Sequence, residues 1–299
     1  MKNNNRHGQA QILDTFPDFE EYWKQYRHSP RRVQVEAWES GYMGKWPALL
    51  KKQIGQYRSE GVDWKKVAEK RIFPYLKTRL ASMRLARKRL LEESVGIIHK
   101  AMGRFRVHHP VYVIIYVGIG LGAGWATIYK KSPALLFGLE NIAEEGWTSK
   151  SEIRGLVSHE LSHLLHSYWR GKVGRRFGCS PLWQLYTEGF ADRLEFMLQG
   201  SSRSHRAKGA DEDDWPSWYS RNRRWLVKEF LKRLETDGDM KPFFGSWYTL
   251  GGHSQSGYFL GSDLIKTLEK SYSPEEIATL SNISKRMRAM LGEIARGNL

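Results

Sequence analysis

The sequence predicts an α+β fold: a helical front, then a small mixed sheet, then further helices. Three observations predict it. Apolar residues between 16 and 110 recur at three- and four-residue steps, the period of a helix with one buried face. After Pro110 the chain turns β-branched and aromatic, and from about Ser149 the helical period returns.

In the front, Pro17, Pro30, Pro47 and Pro74, with Gly41, Gly44, Gly55 and Gly61, punctuate the helices. The longest runs over about 74–102. Leu76, Leu80, Met83, Leu90 and Ile97/Ile98 form its apolar stripe, and Arg79, Arg84, Arg87, Lys88 and Arg89 cover the rest. Residues 111–117 then read as a strand, the alternate glycines Gly118, Gly120, Gly122 and Gly124 as a loop, and 125–129 as a second strand. The uncharged stretch 110–129 approaches the length of a membrane span. Its glycines and β-branched residues favour two strands instead, so no span is expected. Gly118-x-Gly120-x-x-Ala123 mimics a dinucleotide fingerprint but lacks the helix that motif needs directly afterwards. From Ser151 a helix continues to Trp169 and stops at Gly171 and Gly174. Ser180-Pro181 opens another over 182–198. Residues 200–216 read as an exposed loop. Helices follow over 218–234 and 257–269, and one starts at Ser273-Pro274.

With 12 Trp, 14 Tyr and 12 Phe among 299 residues, the chain is too aromatic to be disordered. Its one cysteine, Cys179, excludes an intrachain disulfide framework and a Cys-rich metal site, and fits a reducing compartment. Residues 1–15 are polar and lack the apolar core of a signal peptide, so a cytoplasmic location is expected. The net charge of +16 is concentrated in residues 1–110, which hold 23 Lys/Arg against 11 Asp/Glu. Such a front suits either an acidic partner or plain solvated helix faces. The helical spacing of the charges favours the second.

The chemistry gathers at His159-Glu160-Leu161-Ser162-His163, inside the helix that starts near Ser151. Residues four apart share a helical face, about 6 Å apart along the axis. Two imidazoles can therefore grip one metal ion from one side, while Glu160 points beside the ion. Zinc lowers the pKa of its water and polarises a carbonyl, and a neighbouring carboxylate takes the proton. An ordinary satisfied histidine pair is the alternative. A catalytic zinc usually has a third protein ligand. His166 lies about two turns from His159, too far along a straight helix. Glu188, 25 residues after His163 on the next helix, is the better candidate. Asp192 sits one turn beyond it, placed to accept a hydrogen bond from the outer nitrogen of a ligating histidine. A solvated helix face is the plain alternative for both acids.

His159-Glu160-x-x-His163 followed by Glu188-Gly189-x-Ala191-Asp192 resembles the gluzincin metallopeptidases, the thermolysin-like and aminopeptidase-like branch of the zincins. The metzincin pattern fails, because this chain has His166 and Trp169 where it needs Gly and His. The resemblance spans roughly 111–270. It implies that His159, His163 and Glu188 bind Zn2+ and that Glu160 is the general base. It also implies a sheet whose edge strand pairs with the substrate backbone, for which the segment starting at Trp125 is the candidate. Phe137-Gly138-Leu139-Glu140-Asn141 partly resembles the G-x-M-E-N segment of zinc aminopeptidases, which would make Glu140 the ligand of a substrate amine. Ser256-Gly257-Tyr258 resembles the segment bearing the oxyanion donor, so Tyr258 is the first choice for it, ahead of His253 and Tyr248.

His108-His109 is read as structural, since neighbours in an extended segment point to opposite faces. Cys179 is read as inert, and Arg175-Arg176 and Arg223-Arg224 as solvated. The expected organisation is a basic helical region over 1–104 and a zincin-like metallopeptidase domain over 105–299, acting on a peptide or protein substrate. The competing reading is a binding protein on the same scaffold whose basic front contacts nucleic acid or another acidic partner.

Overall fold

The computed structural model describes residues 10–171, 180–201, 204–206, 214–245 and 247–298, which form a mixed α+β structure. Contacts group the chain into two compact units, Met1–Leu164 and Leu165–Leu299. The front region expected over 1–104 thus shares a unit with the sheet.

In the first unit, β1 (Ala10–Asp14), β2 (Val111–Tyr116), β3 (Gly124–Tyr129) and β4 (Ser132–Gly138) form one mixed sheet in the order β1-β2-β4-β3. β1, β2 and β4 run parallel, and β3 pairs antiparallel with β4 at one edge. β2 is buried along nearly its whole length, which is why its sequence is a continuous apolar run rather than an alternating one. The expected strands over 111–117 and 125–129 are β2 and β3, and no helix follows the Gly-rich loop between them. β3 and β4 are joined by Lys130-Lys131, both in the left-handed region at φ 46° and 69°. A two-residue hairpin turn requires that twist and is usually supplied by Asn-Gly. The lysines hid the turn, and Pro133 reads as a strand breaker. Pro133 is tolerated because pairing of β4 with β2 begins only at Ala134.

The helices of this unit are α1 (Phe16–Tyr26), α2 (Arg31–Ala37), α3 (Pro47–Ser59), α4 (Trp64–Val67), α5 (Leu76–Phe105), α6 (Leu139–Glu145) and most of α7 (Lys150–Trp169). α5 buries Leu76, Met83, Leu90, Ile97 and Ile98, as the stripe requires, with Leu80 half-buried. Its basic face is paired: Arg79 with Glu144, Arg84 with Glu20, Arg87 with Asp14, and Lys88 and Arg89 with Glu92.

The second unit contains α8 (Pro181–Gln199), α9 (Asp214–Glu235), α10 (Lys241–Phe244), α11 (Ser256–Leu268), α12 (Pro274–Thr279) and α13 (Ile283–Arg296). Ser180 caps α8 by accepting from the Trp183 N–H, and Ser273 with Glu276 forms a capping box on α12. α8 and α11 cross at two glycines. A Cβ on Gly189 would overlap the Gly261 backbone, and one on Gly261 would overlap the Leu185 carbonyl. The glycine after Glu188 therefore lets the two helix backbones touch. Among the described residues no helix is long and apolar enough to cross a membrane. Gly174, Arg175, Arg176 and Cys179 lie outside the described residues.

Candidate metal centre

α7 runs unbroken past Leu164 and so carries residues of both units. On it His159 is buried and His163 half-buried, their rings edge to face with centroids 4.9 Å apart, as the four-residue spacing requires. Half-buried Glu188 comes from α8. The candidate ligands are therefore His159 and His163 on one helix and Glu188 on the next. Two imidazole nitrogens and one carboxylate oxygen are the number and type of donors that a catalytic zinc takes from protein.

Glu160 is buried and lies against Gly124, the first residue of the edge strand β3. A Cβ at Gly124 would come within 2.5–2.8 Å of Glu160 Oε1, Cγ and Cδ. Gly124 is therefore the space that Glu160 occupies. Gly124→Ala is expected to displace the Glu160 carboxylate, because the added Cβ overlaps it. A crystal structure of the variant beside the wild type checks this. Trp125, next along β3, is half-buried with Lys52 Nζ 5.2 Å from its ring centroid.

Asp192 is buried one turn past Glu188, and its Oδ1 accepts from Arg206 Nη1 at 2.8 Å. The Arg206 guanidinium also lies over the Tyr258 ring, 4.0 Å from the centroid. Burial alone would lower the Arg206 pKa. The Asp192 carboxylate, the Tyr258 hydroxyl and the Glu195 and Glu188 carboxylates outweigh burial and hold it above the ordinary arginine value. Arg206 therefore stays cationic. The loop expected to be exposed over 200–216 is corrected here: Ser204 and His205 are buried, and the Arg206 side chain is only 9% exposed. The rest of that loop, 202–203 and 207–213, lies outside the described residues. The physical reason is charge balance. Glu188, Asp192 and Glu195 recur at helical spacing on α8, and buried acids need cationic or donor partners. That run of acids was the available signal for Arg206.

A second set of potential ligands, Glu195 and His205, lies within the second unit. Here both Glu195 oxygens already accept from His205, Oε1 from the backbone N–H at 2.8 Å and Oε2 from Nδ1 at 2.9 Å. Glu195 thus orients the His205 ring as a carboxylate orients a ligating imidazole, so His205 is a candidate metal ligand beside Glu188. His166 belongs to neither group. Tyr186 gives its hydroxyl proton to the Ile277 carbonyl, so His166 Nε2 must donate to the same hydroxyl at 2.9 Å.

Glu140 is buried beneath the Gly-rich loop. Its Oε2 accepts from Gly118 N–H at 2.7 Å and its Oε1 from Gly120 N–H at 3.2 Å. Burial pushes its carboxyl up to about 7, against the pull of these backbone donors. Its visible work is to hold the loop that leads into Gly124. Tyr258 is half-buried in the first turn of α11. Of its alternatives, Tyr248 is exposed and the His253 ring lies on Trp218, centroids 4.1 Å apart. His108 and His109 are exposed and belong to no metal-holding group among the described residues.

No family model, curated protein or solved structure matches the chain.

Proposed function

We propose that the chain is a zinc-dependent peptidase of gluzincin type. One observation carries the reading: Glu160, set between two histidines of one helical face, lies against the first residue of an edge strand. A peptide added along β3 by main-chain hydrogen bonds would thereby pass a positioned carboxylate. Zinc, when held by His159, His163 and Glu188, supplies a Lewis acid and a water of lowered pKa. Glu160 takes the proton released on attack and delivers it to the leaving amine nitrogen. Tyr258 donates its hydroxyl to the oxyanion, and Asp192 with Arg206 braces the turn that carries Glu188. The paired state of the basic face of α5 gives the nucleic-acid reading less support.

Metal content of the purified protein tests the proposal, beside His163→Ala and Glu188→Ala. About one zinc per chain, lost or weakened in both variants, is expected for a three-ligand site, with cleavage of an unstructured peptide by the wild type. Failure of the wild type to take up zinc when it is supplied would overturn it.

A further inference from the structure

We infer that Arg206 is a positioning residue for this reaction, fixing where the Tyr258 hydroxyl points. The inference rests on the peptidase reading. Tyr258 sits in the first turn of α11, where the helix cannot by itself choose a ring orientation. Neighbouring side chains restrain it. The Arg206 guanidinium covers the ring at 4.0 Å, and the Phe244 ring meets it edge-on with centroids 6.0 Å apart. A guanidinium stacks on an aromatic face as a plane, which restrains tilt as well as distance. Arg206 is itself immobilised: Asp192 accepts its Nη1–H, and both side chains are less than a tenth exposed. Asp192 is on α8, one turn from Glu188, and α8 touches α11 at Gly189 and Gly261. A chain of short contacts therefore runs from the turn bearing Glu188, through Asp192 and Arg206, to the Tyr258 ring. Arg206 needs no contact with substrate to act; it sets the direction of a hydroxyl whose donor geometry matters to a fraction of an ångström.

A double-mutant cycle in the zinc-loaded full chain tests this, using Arg206→Met, Tyr258→Phe and the pair, with kcat, KM and zinc content measured for each. Arg206→Met is expected to lower kcat about 10- to 100-fold with KM and zinc little changed. In the Tyr258→Phe background the same substitution is expected to cost less than about threefold, because no hydroxyl is left to misplace. Arg206→Lys, which keeps a cation for Asp192 but not the plane, is expected to recover folding and part of the turnover. It carries the same cycle if the methionine variant folds poorly. Equal fold-losses with and without the Tyr258 hydroxyl would overturn the inference and leave the peptidase reading standing. Loss of zinc from Arg206→Lys would overturn it too, placing the residue's effect on the ligands instead. A zinc-loaded wild type that cleaves no peptide would overturn the peptidase reading and this inference together.

Discussion

On the proposed peptidase reading, Glu160→Gln is expected to remove peptide cleavage while leaving zinc bound. The amide keeps the shape of the side chain against Gly124 but has no lone pair basic enough to take a proton. General acid–base catalysis contributes about 10²- to 10⁴-fold, so with Glu160 proposed to act at both proton transfers kcat should fall by that order. The proposed ligands are His159, His163 and Glu188, so zinc per chain should match the wild type. Metal analysis and single-turnover cleavage on one preparation check both halves. Undiminished cleavage by a zinc-loaded variant would remove Glu160 from the mechanism.

The second large effect is a dependence of stability on pH that traces to Glu140. Its folded pKa, about 7, is raised from the usual 4.5, chiefly by burial. Between those values the unfolded chain has lost its proton while the folded chain keeps it. Rising pH across that window therefore works against the folded state. The stabilisation is complete below about pH 4.5 and is lost by about pH 7, a span worth about 3 kcal/mol. Glu140→Gln stands in for the protonated acid, with one acceptor and one donor. Urea midpoints measured from pH 4.5 to 8 should show the wild type losing stability relative to the variant as pH rises, with no further change above pH 8. A parallel pair of curves would sink the assignment.

The long helices were legible because each carries its own period and stop signals. α5, α7 and α8 fall within a few residues of where apolar spacing and caps place them. The sheet was half legible. β2 announces itself by being buried on both faces, and β3 by β-branched and aromatic residues. β4 hides behind a Lys-Lys turn and a proline, and β1 is a short strand whose only strong signal is its pairing with β2. The metal candidates could be read because His159 and His163 are local to one helix. Glu160 could be named, but its cradle at Gly124 could not, since that contact spans 36 positions of sequence. The Gly189–Gly261 crossing was hidden for the same reason.

By itself, then, the sequence determined the α+β class, the helix bearing the two histidines, and the chemistry its residue types permit. These are properties of neighbours within a few residues, where the helical period and side-chain type suffice. Only the tertiary structure decided that β3 is an edge, that Glu140 is spent on holding a loop, and that a supposedly exposed loop delivers Arg206 to Asp192 and Tyr258. Those outcomes depend on which distant groups share a buried space. In such a space a carboxylate without a donor or a cation is costly enough to dictate its partner.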